Sequence, residues 1–389
     1  MTTAVAATAT PLDELTPADL DALASELDTI GNTFRADLGA RDAAYIRRLI
    51  ATQRSLETGG RALLLLARYR PALVAGTTLL ALGKVLENME IGHNVLHGQW
   101  DWMNDPCINS STWEWDSAST ARSWKRAHNF QHHMYTNVIG KDRDLGYSAM
   151  RVHPDQPWHP VYLLQPLYGA LMALTFEWGI ALYDMELDAV RRGDKSKATA
   201  RAEIRGFARK AARQLTKDYV LFPLLAGRKG WRRALAGSLA ANVARNVWIH
   251  TIVFMGHLPE GAEYFSEEEL EHETRGGWYV RQLLGSCNLE GTRLFHIMSG
   301  SLSFQIEHHL FPDLPSRRYP ELAPQVRAVC ERFGLPYSSG RLGRQWCSVA
   351  RKILRLSLPG GGSPAGGDAR SPVRGRPAEG PAAPLSEVT

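Results

Sequence analysis

The ten residues HNFQHHMYTN, His128 to Asn137, place three imidazoles in six positions. No other stretch constrains the fold as much. Neighbouring imidazoles compete for hydrogen-bond partners and repel one another when protonated, so a chain that keeps them together holds something with them. The cluster has company: HNVLH lies upstream at His93–His97 and QIEHHLFP downstream at Gln305–Pro312. Five of the 13 histidines fall between His93 and His133, where an even spread would put one or two.

On an α-helix, residues four apart share a face, so His93 and His97 can ligate one ion, and His128 and His132 repeat that geometry. Adjacent residues point about 100° apart, so His133 suits a different ion from His132, and His309 a different one from His308. Gln305 lies one turn before His308 on the same face. Between the clusters, NVWIHTIVFMGH puts Asn246, His250 and His257 roughly on one face, and either histidine could complete the set. Eight imidazoles exceed the four ligands of a structural zinc site and the three of a catalytic one, but suit two ions. Imidazole accepts iron, copper, zinc or nickel. Glu90, one turn before His93, and Asn246 stand where they could orient ligands from behind. His153, His159 and His272 read as ordinary core residues, and His296 falls outside the spacing of the third cluster.

The hydrophobic fraction of 44% is that of a soluble protein on average, but the apolar residues are segregated. They run from Pro71 to the first histidines, from Pro160 to Leu187, from Tyr219 through His257, and more briefly from Leu294 to Phe304. The second of these is long enough to cross a hydrocarbon layer of about 30 Å despite Glu177. In the third, Asn242, Arg245 and Asn246 are expensive in lipid and should face protein. The histidines adjoin these segments, so the site sits at a membrane face and its chemistry acts on a lipid. A break near ARYRP would make residues 61–92 a hairpin and leave the N-terminal part on the histidine side; an unbroken span would put it opposite.

Residues 1–40 read as a mobile arm with one short amphipathic helix, 41–340 as the main domain, and 341–389 as a tail, disordered beyond about 355 from its Gly/Pro/Ser content. The start lacks a basic region followed by an apolar core, so no export signal is expected. Cys107, Cys287, Cys330 and Cys347 form no CxxC pair, which fits a reducing compartment. Nine Lys/Arg between Arg191 and Gln214 oppose only Asp194 and Glu203. Without aromatic interleaving this is no nucleic-acid motif; it suits a cytoplasmic loop beside anionic headgroups.

HxxxH, HxxxHH and QxxHH, in this order between apolar segments, resemble the histidine boxes of integral-membrane fatty acid desaturases, and QIEHHLFP is similar to the branch with front-end and related bacterial acyl desaturases. The resemblance runs from about Leu82 to Arg327. It implies an all-α fold, a polytopic membrane bundle of about four spans under a cytosolic helical cap holding two irons, in a bacterial cytoplasmic membrane with the site facing the cytoplasm. Carried over residue by residue, it implies metal ligands at His93, His97, His128, His132, His133, His308 and His309. The family's isolated histidine matches His257 best, with His250 second, and Gln305 stands where other members have a ligand. It implies O2 as co-substrate and a long acyl chain carried by CoA, carrier protein or lipid. Members with a fused haem domain carry HPGG; HPDQ at His153 is not that motif, so electrons come from a separate ferredoxin or reductase. Arg201, Arg205, Arg209 and Lys210 then form a candidate docking face for an acidic donor. Hydroxylation of an acyl chain or alkane by a related di-iron enzyme is the competing reading, distinguished by its product.

Overall fold

The computed structural model describes residues 15–361; the first 14 residues of the expected arm and the end of the expected tail lie outside the described residues. Among the described residues the regular elements are helices, apart from two short parallel strands, β1 (Asn288–Glu290) and β2 (Ser339–Arg341), with Asn288 opposite Ser339.

The arm expected up to residue 40 is corrected from Leu15 onward. Helix α1 (Pro17–Ala36) begins with a reciprocal cap, in which Thr16 Oγ1 accepts from the Asp19 amide and Asp19 accepts from the Thr16 amide. Leu23, Leu27 and Phe34 lie on one buried stripe, packed into a core with Leu283, Ile306 and Leu322. That core is a cap formed by α1 with three later helices, which supply the histidine-bearing segment Gln305–Leu310 and the flanking Arg275–Leu284 and Tyr319–Arg332. Within the expected tail, Leu342–Ser357 is a helix with Val349 and Leu356 buried.

Helix α2 (Ala40–Leu65) turns back at 66–69 into α3 (Arg70–Leu86), so the break falls at ARYRP and α1 packs on the histidine side. The hairpin closes backbone to backbone: a Cβ on Gly60 would meet the Leu80 amide nitrogen at 2.7 Å, and one on Gly76 the Gly60 carbonyl oxygen at 2.9 Å. Small residues at such a crossing let helices approach where lipid supplies no hydrophobic drive. From α3 the helix continues to Leu96, and among the described residues this is the one helix long and apolar enough to cross a membrane.

The other apolar stretches are shaped differently from what their length suggests. Pro160–Leu187 is not one straight span; it breaks at Thr175 into α5 (Gln165–Leu174) and α6 (Phe176–Tyr183), which follow α4 (Ala121–Lys125) of the second box. The basic helix α7 (Lys197–Leu215) runs on through Leu225 and turns at Gly227, with φ +70°, into α8 (Gly227–His257). Leu294–Phe304 is a short helix and a 3-10 turn. Asn242, Arg245 and Asn246 on α8 do face protein: Arg245 pairs with Glu177, the carboxylate that interrupted the second stretch, and donates to Asn88 Oδ1 at 2.8 Å.

Replacing Gly60 by leucine should force α2 and α3 apart at a backbone contact and cost about 1–3 kcal/mol. Thermal unfolding of the detergent-solubilised chain checks this, and an unchanged transition would show that the crossing is not tight.

Candidate metal centre

Four segments bring the histidines together at the cap end of the bundle. The first box closes the long helix and the second follows α4, and a π-helical turn leads into each, Glu87–His93 and Arg126–His132. Their i→i+5 hydrogen bonds widen the helix, a distortion frequent at functional sites. His257 ends α8, and His308 and His309 sit on the six-residue helix α9 (Gln305–Leu310). The latter is fixed from below by Glu307, which accepts from Tyr337 Oη at 2.7 Å and Asn288 Nδ2 at 2.9 Å.

Two groups result. His93, His97, His128 and His308 bring one ring nitrogen each to within 4.8 Å of one another, and so do His132, His257 and His309. His133 lies between the groups, stacked on His309 at 4.3 Å between ring centroids and edge-on to His97 at 4.7 Å. His308 and His309 diverge to different groups, as adjacent helical residues must. The second box departs from α-helical expectation: His128 and His132 fall in different groups, although with Asp144 they also form a set of their own. The widened π-helical turn explains why four-residue spacing does not keep the pair on one ion.

Several polar atoms at the two groups have no partner. His97 Nε2, His128 Nε2, His309 Nε2, both nitrogens of His133 and Gln305 Oε1 are buried without a hydrogen-bond partner, and His93 Nε2 faces His308 Nε2 at 3.3 Å. Burial, and after it the neighbouring imidazoles, holds His128, His133, His308 and His309 far below the ordinary histidine value, so they present neutral lone pairs. Inward lone pairs with no proton to share fit metal cations, and two groups fit two ions.

The outward nitrogens are held. His128 Nδ1 meets Asp144 at 3.1 Å, His132 Nδ1 meets both oxygens of Asp142 at 3.0 Å, and His257 Nδ1 donates to the Gly285 carbonyl at 3.1 Å. His309 Nδ1 is shared by Thr136 Oγ1 and Gln282 Oε1, each at 3.1 Å, and His308 Nδ1 lies 3.3 Å from Tyr319 Oη. Burial opposes charge on His132, but the Asp142 carboxylate outweighs it and raises the group above its ordinary value. Asp142, Asp144, Gln282 and Tyr319 were not legible as site residues: they come from loops and other helices, and no period links them to the boxes. The one available signal was the pair of carboxylates in KDRD just after box two.

Other candidates are placed elsewhere. His250 stacks on Phe254 at 4.0 Å and joins neither group, whereas His257 lies in the second. Gln305 turns to His257, with Nε2 at 2.8 Å from its Nε2, rather than following His308. Glu90 does not support His93; it accepts from Tyr45 Oη at 2.6 Å and Ser316 Oγ at 2.7 Å and ties α2 to the cap. Asn246 lies away from the histidines, donating to the Leu174 carbonyl at 2.9 Å. Arg201, Arg205 and Arg209 are exposed along α7, but Lys210 turns inward to Glu114 Oε1 at 2.5 Å and leaves that face.

Residues 70–341 match the model of the fatty acid desaturase family, described as "Fatty acid desaturase". The chain belongs to that family. It is 46% identical to the NADPH-dependent stearoyl-CoA 9-desaturase of Mycobacterium tuberculosis over 89% of this chain and 82% of the relative. It is 26% identical to the sn-1 linoleoyl-lipid 6-desaturase of Synechocystis over 69% and 75% of the two chains, and 30% identical to fatty acid desaturase 3 of Bos taurus over 55% and 46%. The protein is thus an oxidoreductase, a fatty acid desaturase rather than a hydroxylase.

Asp142 fixes the ring of His132 and also accepts from the Asn137 amide at 2.8 Å. Asp142→Asn should weaken metal retention by about 10–100-fold, as removal of a ligand's hydrogen-bond partner does elsewhere. Equilibrium dialysis against a graded chelator measures it; full retention would show that Asp142 serves only the loop.

Proposed function

We propose that this desaturase inserts a double bond into a saturated long-chain acyl-CoA, at an oxygen-dependent di-iron centre held by His93, His97, His128 and His308 on one side and His132, His257 and His309 on the other, with His133 between. The inward, unpartnered imidazole nitrogens of the two groups support the ligand set, and the 46% identical stearoyl-CoA 9-desaturase supports the substrate class. Iron bound there supplies the oxidising power, drawn from O2, that an unactivated methylene requires and no side-chain acid or base provides.

The chain's own part is to bind, orient and exclude water. A mostly apolar cavity, with Met89, Trp124, Phe176 and Ile180 in its wall, runs beside His93 and His128. A second cavity shares Asp144, Tyr147 and Val253 with it and reaches His132 and His257. An acyl chain threaded along this path passes both groups. Trp115 and Ser117 also line a cleft of about 620 Å³ in which Lys210, Arg213 and Lys217 lie among the carboxylates of Glu57, Glu87, Glu114 and Asp116. That cleft is the place for the CoA head, with the chain entering between Trp115 and Ser117.

Electrons reach the centre from NADPH through a separate ferredoxin or reductase, as the dependence in the relative's name supports, and Arg201, Arg205 and Arg209 form the docking face for an acidic donor. The bundle is integral to the membrane, with about four crossings and the cap facing the cytoplasm.

Expression in a host of known lipid content, followed by double-bond mapping, tests the reading. A new monounsaturated acyl chain should appear, fall by more than about 100-fold in His308→Ala, and keep at least half its level in His250→Ala. An added oxygen instead of lost hydrogens, or loss in both variants alike, would overturn it.

A further inference from the structure

At the pole of the bundle farthest from the histidines, two turns meet. Arg68 and Arg70 flank Tyr69 where α2 passes into α3, and Arg228, Lys229, Arg232 and Arg233 surround Trp231 at the start of α8. The two are in contact: Arg233 Nη1 donates to the Arg68 carbonyl at 2.6 Å, and a Cβ on Gly230 would lie 3.8 Å from the Arg68 amide nitrogen. All six cations are exposed, and among the described residues none of them enters an ion pair. Nothing nearby in sequence can neutralise them, since residues 58–86 and 219–259 contain no Asp or Glu.

The surroundings say what covers them. Arg68 lies over the Tyr69 ring at 4.5 Å and Arg232 over the Trp231 ring at 5.2 Å. Leu66, Leu224 and Leu225 beside them are 49%, 62% and 59% exposed. Exposed leucines, ringed by Trp, Tyr and basic side chains, form the pattern of a membrane–water boundary. The 17 residues of α3 rise about 25 Å, close to the thickness of a hydrocarbon core. An acidic protein or an RNA would explain the charge but not the leucines.

We propose that this pole is a docking site for anionic phospholipid headgroups in the leaflet opposite the histidine cap. The inference rests on the membrane reading above. The arginines and Lys229 meet the phosphates, while Tyr69 and Trp231 sit at headgroup depth and the leucines enter the acyl region.

The test uses the full chain in neutral detergent, titrated with phosphatidylglycerol and phosphatidylcholine of matched acyl chains, with bound lipids counted by native mass spectrometry. Wild type should retain phosphatidylglycerol with a preference of about tenfold or more. R68Q/R70Q/R228Q/R232Q should abolish the preference, while R41Q/R48Q, which removes exposed charge at the start of α2, should keep it. Should the fourfold variant fail to fold, R228Q/K229Q on the exposed first turn should lower the preference about threefold. No preference in wild type, an unchanged preference in the pole variants, equal loss in both charge-removal sets, or displacement of the lipid by inorganic phosphate or RNA would each overturn the proposal. A chain that stays soluble without detergent would defeat the membrane reading itself. A detergent-dependent chain without lipid preference would defeat only this inference.

Discussion

Imidazoles buried one ring apart cannot all be protonated, and they cannot all satisfy one another by hydrogen bonding. That constraint governs the cap of this desaturase. His93 and His308 face each other nitrogen to nitrogen, and His133 has no partner for either nitrogen. Left to itself such a cluster would carry several uncompensated polar atoms, each costing about 1–3 kcal/mol. The outward nitrogens are meanwhile anchored by carboxylates, carbonyls and hydroxyls from four separate segments. A site that fixes the outer side of five of its rings, those of His128, His132, His257, His308 and His309, and leaves inner nitrogens open is arranged for cations.

The same separation of burdens runs through the bundle below. Charged groups that lipid would not tolerate are turned inward and paired: Arg245 with Glu177, and Asp218 with both Arg61 at 2.9 Å and Lys84 at 2.8 Å. The outer faces of α5 and of the stretch after α7 are left to leucines, such as Leu167 and Leu171 on the first and Leu224 and Leu225 on the second. Close glycine contacts between α2 and α3 hold the hairpin from which the first histidine box hangs.

The histidine clusters were readable because metal-ligand spacing is a local property of a helix, and three such clusters in order carry the family. Their grouping was less readable. The 100° step assumes an α-helix; it holds for His93 and His97, but the π-helical turn Arg126–His132 parts His128 from His132. His257 and His250 lie two turns apart on one helix, and only the position of Phe254 and Phe176 decides that His250 packs among aromatics. Helix α1 was hidden by composition: its Ala and Asp residues suggest solvent, while the three apolar residues that matter, Leu23, Leu27 and Phe34, have their partner surface almost 300 residues away, against Leu310 and Leu322. Lys210 was grouped with Arg201, Arg205 and Arg209 by charge, but Glu114, which draws it inward, is distant in sequence.

The central claim is that the two histidine groups hold two ions of the same metal. Metal analysis of the purified full chain after anaerobic iron loading tests it most directly. Two irons per chain are predicted, and one equivalent of zinc with no iron would contradict the account.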